Sequence, residues 1–532
     1  MKIFLLGFVF FTNAYAVDVI SMPSPELQKT IFKAIRSEMI RLDGEGLIAR
    51  KARPLNFLQT TDNLLNESIQ EKNVQDFYSL FKRLDGAYTN LHSKLVFNPE
   101  LEQSVDIPLY KTTKIGSIAE VVPGTETKLF VNYIEDEDLK TLIEAGDEIV
   151  GINGRSIGSW LDENFLFCKL PLKGQCDNNF EVNLLSLNLS WKGTKLIYSV
   201  NHHGNIIDIE VKFYNPESSI AGSDRKLCDY KADKKYPNFK LVYKGQYNCL
   251  FENIDDPSIA LMRISSFLYR SNDDPANRFK SVDEEVDAFY PFWKQNAGKY
   301  KELIIDVLSN GGGNAPIPYY KILVHGLFQE QYVEFKKTKE FEDARLRSAM
   351  LWGNTAQELS YQKLLSSGEW SKLAYGSFTR PIPMFCADDS RPCEETFFEP
   401  YEHNFRGNVR IMVNEWCVSS CDGFVWAMDN LLKAKLYGQP QAADSAYARL
   451  RIDAIWDVNE KNGFKVVINP ERGEFDPNFI IGQTIAVSRA TDAQGNIFNG
   501  NPLSLEKIIP YRFNEYYPKK VLQAVMEDLK GR

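Results

Sequence analysis

Histidine is scarce in this sequence, with five among 532 residues, and no Cys-x-x-Cys pair occurs. These two shortages argue against a zinc site and against a metal-dependent hydrolase, and no cofactor is expected. They also leave few candidates for a general base that works near neutral pH. A basic stripe is missing: 62 Lys and Arg stand against 71 Asp and Glu, a net charge of −9, so nucleic acid is not an expected partner. Past the first residues no run is apolar enough to span a bilayer, and no low-complexity segment interrupts the chain. The glycine run Gly311-Gly312-Gly313 lacks the Gly-Lys-Ser/Thr that would make it a phosphate loop.

What is present is a globular composition, 44% hydrophobic and 25% charged. The length is enough for about two to four domains, each with its own core. Lys2 precedes the apolar run Ile3 to Phe11, and Ala14-Tyr15-Ala16 supplies a small-x-small cleavage pattern. Residues 1–16 therefore read as a signal peptide, with a mature chain that starts near Val17 and is exported to the periplasm or beyond the cell. No integral membrane segment is expected after its removal. The eight cysteines fall into near neighbours: Cys168 with Cys176, Cys228 with Cys249, Cys386 with Cys393, and Cys417 with Cys421. Spacing does not fix connectivity, but four local disulfides are the simplest scheme in an oxidising compartment.

Residues 17–105 read as a helical region. Ser24-Pro25-Glu26 is a helix start with proline at the first helical position, and Leu27, Ile31, Ala34, Ile35 and Met39 recur at helical spacing. A second helical pattern, Val74 to Leu84, leads toward Asn90-Leu91-His92-Ser93, and a strand-like Leu95-Val96-Phe97 follows. Residues 106–214 are β-rich. Ile115 to Val122 and Lys128 to Ile134 read as strands, Glu137 to Ala145 as a short helix, and Asn153-Gly154 as the turn of a hairpin. The wording AGDEIVGINGRSI resembles a PDZ domain, whose exposed sheet edge takes up an extended peptide.

From 215 to 532 the pattern becomes βα. Ile259 to Ile264 is a strand, Val282 to Tyr300 an amphipathic helix, and Leu303 to Leu308 a buried-type strand running into the glycine turn, with a helix from Ile317 to Phe328 after it. Residues 330–405 break that rhythm and read as an insertion able to cover a site. The rhythm resumes at Asn408, passes through a strand at Leu436-Tyr437-Gly438, and ends in a helix from Lys519 to Leu529.

One stretch organises the rest. An apolar run, Val409 to Val413, leads into Asn414-Glu415-Trp416-Cys417-Val418-Ser419-Ser420-Cys421-Asp422-Gly423, and the helix-period run Phe424, Val425, Met428, Leu431 and Leu432 leads out. A strand, a tight turn and a helix present a side chain beside the free N–H groups of the helix start, which can bind a developing anion. The same residues can also be read as an ordinary serine-rich helix cap.

In this order the pieces resemble the tail-specific, or carboxy-terminal processing, family of serine peptidases, across residues 75–530. The motifs LIIDVLSNGGG, VNEWCVSSCDGF and IALMRISSF carry the resemblance. It implies an α/β fold: a ClpP/crotonase-like βα core over 215–532, an inserted PDZ-like domain over 106–214, and an N-terminal helical region. It also implies a serine endopeptidase acting on protein or peptide substrates. Carried over residue by residue, Ser419 falls on the nucleophile, with Asp422 and Phe424 on the acid and aromatic that follow it. Ser420 and Gly312 (or Gly311) fall on the two N–H donors of the oxyanion hole.

Common members pair the serine with a lysine, and the position matching that lysine is Asp444, where a carboxylate cannot act as a neutral amine base. A second branch uses serine with histidine and a carboxylate, and takes its histidine from just before the PDZ-like domain. His92 lies there and is the expected general base. The position matching that branch's acid is Asn499, an amide that can orient an imidazole but not stabilise an imidazolium by charge. Asn499, Glu506 and Asp444 all remain open for that role. A reading from another class is a catalytically inactive peptide-binding scaffold that keeps the PDZ-like edge. The sequence does not set the oligomeric state.

Overall fold

The computed structural model describes residues 23–44, 56–67, 74–98, 112–178, 195–214, 227–269, 278–343, 355–444 and 449–531, apart from positions 123, 458, 461, 462 and 472. The expected signal peptide, residues 1–16, lies outside the described residues.

Helix Pro25–Leu42 begins as its sequence directs: the Ser24 hydroxyl accepts the N–H of Leu27 at 3.3 Å, and Pro25 needs no donor of its own there. Its stripe of Ile31, Phe32, Ile35 and Met39 is wholly buried. It shares one core with helix Val74–Tyr88 and with an antiparallel sheet ordered Leu95–Phe97, Phe479–Ala486, Arg449–Trp456, Phe464–Pro470. Three of those four strands come from the far end of the chain. Val333, Phe335, Phe341, Tyr361 and Ile382, from the stretch read as an insertion, are buried in this same core.

Described residues of 112–178 and 195–214 build a separate antiparallel sheet whose core includes Leu129, Val131, Ile149, Trp160 and Val200. Asn153 (φ 51°) and Gly154 (φ 74°) form the tight turn between Glu148–Ile152 and Arg155–Ser156. The helix expected over Glu137–Ala145 shrinks to a 3-10 turn at Leu139–Thr141. Side chains take the donors that a helix would use: Asp136 accepts the N–H of Asp138 at 3.1 Å, and Asp147 that of Glu144 at 2.7 Å.

The central sheet has seven strands, in the order Lys507–Ile508, Lys435–Gly438, Asn408–Val413, Glu302–Asp306, Ile259–Ile264, Asn248–Asn253 and Phe239–Lys244. The first five are mutually parallel, and Asn248–Asn253 runs antiparallel to both of its neighbours, Ile259–Ile264 and Phe239–Lys244. Alternation along Glu302–Asp306 sends Leu303 and Ile305 to one face and Ile304 to the other, so helices cover both sides and the strand reads as continuously apolar. Helices Val282–Asn296, Ile317–Leu323 and Ser420–Leu432 lie on the first face, and Tyr517–Lys530 on the second. The helix expected to reach Phe328 stops at Leu323, because Val324 is extended and Gly326 turns the chain at φ 81°. In such a sheet the crevice beyond the carboxyl ends of the strands is where ligands sit. The glycine turn and the Ser419 turn both project from those ends. No helix among the described residues is long and apolar enough to cross a membrane.

Candidate active site

Strand Asn408–Val413 and helix Ser420–Leu432 are joined by six residues, and the sharpest bend falls on Ser419. Its backbone, φ 62° and ψ −123°, is a conformation that non-glycine residues rarely adopt, at a cost of about 1–3 kcal/mol that the surroundings must offset. Three restraints hold it. The Ser419 N–H reaches the Asp422 carboxylate at 3.1 Å and the Asp444 carbonyl at 3.0 Å. The Gly423 N–H donates to the Ser419 carbonyl at 3.0 Å. Cys417 and Cys421 form a disulfide with Cα atoms 5.1 Å apart, closing the turn from within the core. The other three near-neighbour pairs, Cys168–Cys176, Cys228–Cys249 and Cys386–Cys393, are also disulfides.

The glycine turn lies directly on this elbow. A Cβ on Gly312, whose φ is 80°, would stand 2.4 Å from the Val418 carbonyl oxygen and 2.8 Å from the Ser419 Cβ, so only glycine fits. Asn310, fully buried, holds the turn: its Nδ2 donates to the Ile264 carbonyl at 3.1 Å and its Oδ1 accepts the Gly312 N–H at 3.0 Å. Asn414 takes the N–H of Ser309 at 2.8 Å and ties this turn to the other. The Ser420 hydroxyl donates to the Gly313 carbonyl at 2.7 Å, facing the glycines, not a general base. The Gly312 N–H is thus held by Asn310, while Gly311 is exposed, with open space where a side chain would be.

His92 arrives from the N-terminal region. Thr89, at φ 53°, ends helix Val74–Tyr88, and the Asn90 side chain then accepts the N–H groups of His92 (2.7 Å) and Ser93 (2.8 Å). The next residues pair with the adjacent strand Phe479–Ala486, Leu95 opposite Gln483, which fixes where the turn sits. Below it the buried Asp85 accepts from the Ser93 hydroxyl and contacts Lys169. Burial opposes ionisation of Asp85, but the Lys169 and Lys82 cations outweigh it and hold the carboxyl below its ordinary value. Arg449 donates to the His92 carbonyl at 3.1 Å and pairs with Glu471 at 3.0 Å.

The His92 ring meets Asp444. The carboxylate Oδ1 is 3.2 Å from His92 Nδ1, although the ring is not turned into hydrogen-bond alignment, and Oδ2 accepts the N–H groups of Leu91 (2.5 Å) and His92 (3.2 Å). The Asp444 main chain points the other way, its carbonyl to Ser419 and its N–H to Asp422 at 2.9 Å. Asp422 also accepts the Ala443 N–H at 2.8 Å. Burial pushes the Asp422 carboxyl well above the ordinary aspartate value, with the Asp444 charge adding to it and the backbone donors pulling the other way.

Of the expected site residues, Ser419, Ser420, Gly312 and His92 thus converge through shared partners. Of the three residues open for the orienting role, Asp444 is the one against the ring. The buried Asn499 accepts the N–H of Ala490 at 2.7 Å, and Glu506 pairs with Lys435 at 2.8 Å on the surface. Asn310, Arg449 and Lys169 belong to the site's support. Asn310 stands in the LIIDVLSNGGG motif, whereas no local pattern in the sequence singles out Arg449 or Lys169. Among the described residues no cluster of His, Cys, Asp and Glu could hold a metal ion.

Residues 258–465 match the model of peptidase family S41. Among curated proteins no relative matches by sequence. Among solved structures, mature CPAF complexed with lactacystin is 12% identical over 95% of this chain and 98% of that one, with a TM-score of 0.60. Mature CPAF is 12% identical over 95% and 96%, with a TM-score of 0.58. At that identity the likeness is one of fold.

Proposed function

We propose that this chain, whose residues 258–465 match the model of peptidase family S41, is an exported serine endopeptidase in which Ser419 is the nucleophile, His92 the general base and Asp444 the residue that orients it. The observation that supports this reading most is the double role of Asp444, whose carboxylate meets the His92 ring while its carbonyl takes the Ser419 N–H. With Nδ1 facing a carboxylate, the proton of the neutral ring belongs on Nδ1, and Nε2 is left to accept from a hydroxyl.

Ser419 Oγ attacks the scissile carbonyl as His92 takes its proton, giving a tetrahedral oxyanion. His92 then returns the proton to the leaving amine, and water resolves the acyl-enzyme by the same route. The Ser420 N–H, at the start of a 13-residue helix, supplies one oxyanion donor, a contact commonly worth about 3–4 kcal/mol. The second comes from the glycine turn: the Gly312 N–H if substrate displaces Asn310 from it, or that of the exposed Gly311. The sheet of residues 112–214, in the PDZ-like reading, would take up an extended segment of the substrate at its edge. Four disulfides and the expected leader support export.

The test is labelling of Ser419 by a fluorophosphonate probe alongside hydrolysis of a general casein substrate. Labelling lost in Ser419→Ala and in His92→Ala is the expected result. No labelling of the parent chain with casein uncut would instead favour the peptide-binding scaffold.

A further inference from the structure

We propose that the disulfide-closed loop Cys168–Cys176 is a positioning element of the active site, with Lys169 and Gln175 as its positioning residues; this rests on the reading of Ser419, His92 and Asp444 above. The loop belongs in sequence to the segment after the Asn153-Gly154 hairpin, yet its contacts are with three catalytic segments at once.

Toward the His92 turn, Lys169 Nζ donates to the Ser93 carbonyl at 2.7 Å and pairs with the buried Asp85, which also accepts from the Ser93 hydroxyl. Toward the Asp444 loop, Gln175 Nε2 donates to the carbonyls of Pro440 at 2.8 Å and Gln441 at 2.9 Å. Its Oε1 accepts the Leu172 N–H at 3.0 Å, so the amide is oriented from both ends. Between these polar clamps an apolar cluster forms from Cys168, Leu170, Cys176 and Ala442, with Leu91 and Val418 packed against it. Leu91 precedes His92, Ala442 lies two residues before Asp444, and Val418 precedes Ser419. The approach is close as well: a Cβ on Gly86, in the helix that leads to His92, would overlap the Leu166 carbonyl oxygen just ahead of the loop.

The Ser419 turn and the Asp444 loop already hold each other, through the Ser419 N–H on the Asp444 carbonyl and the Ala442 N–H on the Cys417 carbonyl. The His92 turn comes from the far end of the chain, and a covalently closed nine-residue loop that touches all three adds a rigid seat for it against the other two. A displacement of about 1 Å between nucleophile and base costs on the order of 100-fold in rate, so a clamp of this kind acts on kcat more than on substrate binding.

Casein-derived peptide hydrolysis, fluorophosphonate labelling rate and thermal unfolding of the full chain test the proposal in Lys169→Met, Lys169→Arg, Gln175→Ala and His92→Ala. The expected result is kcat and labelling rate lowered about tenfold or more in Lys169→Met and Gln175→Ala at nearly constant KM, with Lys169→Arg restoring most of the loss. Lys169→Met leaves Asp85 without its cation; if that variant does not fold, Gln175→Ala, which strands no charge, decides alone. Folded variants with kcat within about twofold of the parent, or with a change in KM only, overturn the proposal. His92→Ala separates the two levels. If it is inactive while the loop variants are active, only the loop's role fails, whereas parental activity in His92→Ala removes the active-site reading beneath it.

Discussion

Asp444 and His92, 352 residues apart in the chain, are joined twice: the carboxylate accepts the His92 backbone N–H at 3.2 Å and its other oxygen lies 3.2 Å from the ring Nδ1. One residue thus meets the histidine at both its backbone and its ring.

From this follows the behaviour of Asp444→Asn. The amide keeps the size but loses the charge that favours the Nδ1–H tautomer and the imidazolium, so kcat should fall by about 10³- to 10⁴-fold with little change in KM. Asn499→Ala, which removes the partner of Ala490, should alter stability before it alters kcat. Steady-state kinetics on the two variants, with melting curves, check the contrast; the opposite ranking would return the orienting role to Asn499.

At the nucleophile turn, Ser419→Ala should abolish hydrolysis and probe labelling with the fold intact. Ser420→Ala should remain active, because its backbone N–H is retained and only the hydroxyl bond to Gly313 is lost. Finding Ser420 essential and Ser419 dispensable by active-site titration would reverse the assignment.

The Cys417–Cys421 bridge closes a short loop, so it removes little entropy from the unfolded chain. Its larger effect is on preorganisation of the strained Ser419 backbone. Cys417→Ser with Cys421→Ser should therefore lower kcat far more than Tm, as read by kinetics and calorimetry on one preparation. Free thiols at both positions in the purified protein would remove the premise.

Stability should fall as pH rises through the neutral range, because of Glu330. It is 4% exposed, its Oε2 has no hydrogen-bond partner among the described residues, and burial pushes its pKa up to about 8 against the Tyr320 hydroxyl at 3.1 Å. The unfolded chain titrates this group near 4.5, so between there and about 8 the folded state holds more protons than the unfolded one. The stabilisation is full below the lower value and is lost toward the upper at about 1.4 kcal/mol per pH unit. Glu330→Gln should flatten that part of the curve; a denaturation series at pH 5 to 8.5 with equal slopes for both chains would contradict it.

Much of this protein is legible residue by residue. The Ser24-Pro25 helix start, the Asn153-Gly154 hairpin, the four cysteine pairings and the strand, elbow and helix around Ser419 each depend on neighbours within about twenty positions, and local chemistry specifies them. The sequence could also narrow the histidine's partner to three residues. It could not choose among them, because Asp444 reaches His92 only once Leu95–Phe97 has paired with Phe479–Ala486 and the N-terminal helices have closed over that sheet. Nor does any periodicity mark Lys169 or Gln175, whose partners are backbone carbonyls and a buried aspartate on other elements. Hydrogen bonds between segments hundreds of residues apart leave no spacing in the chain to read, so the fold alone decided how His92 and Asp444 meet.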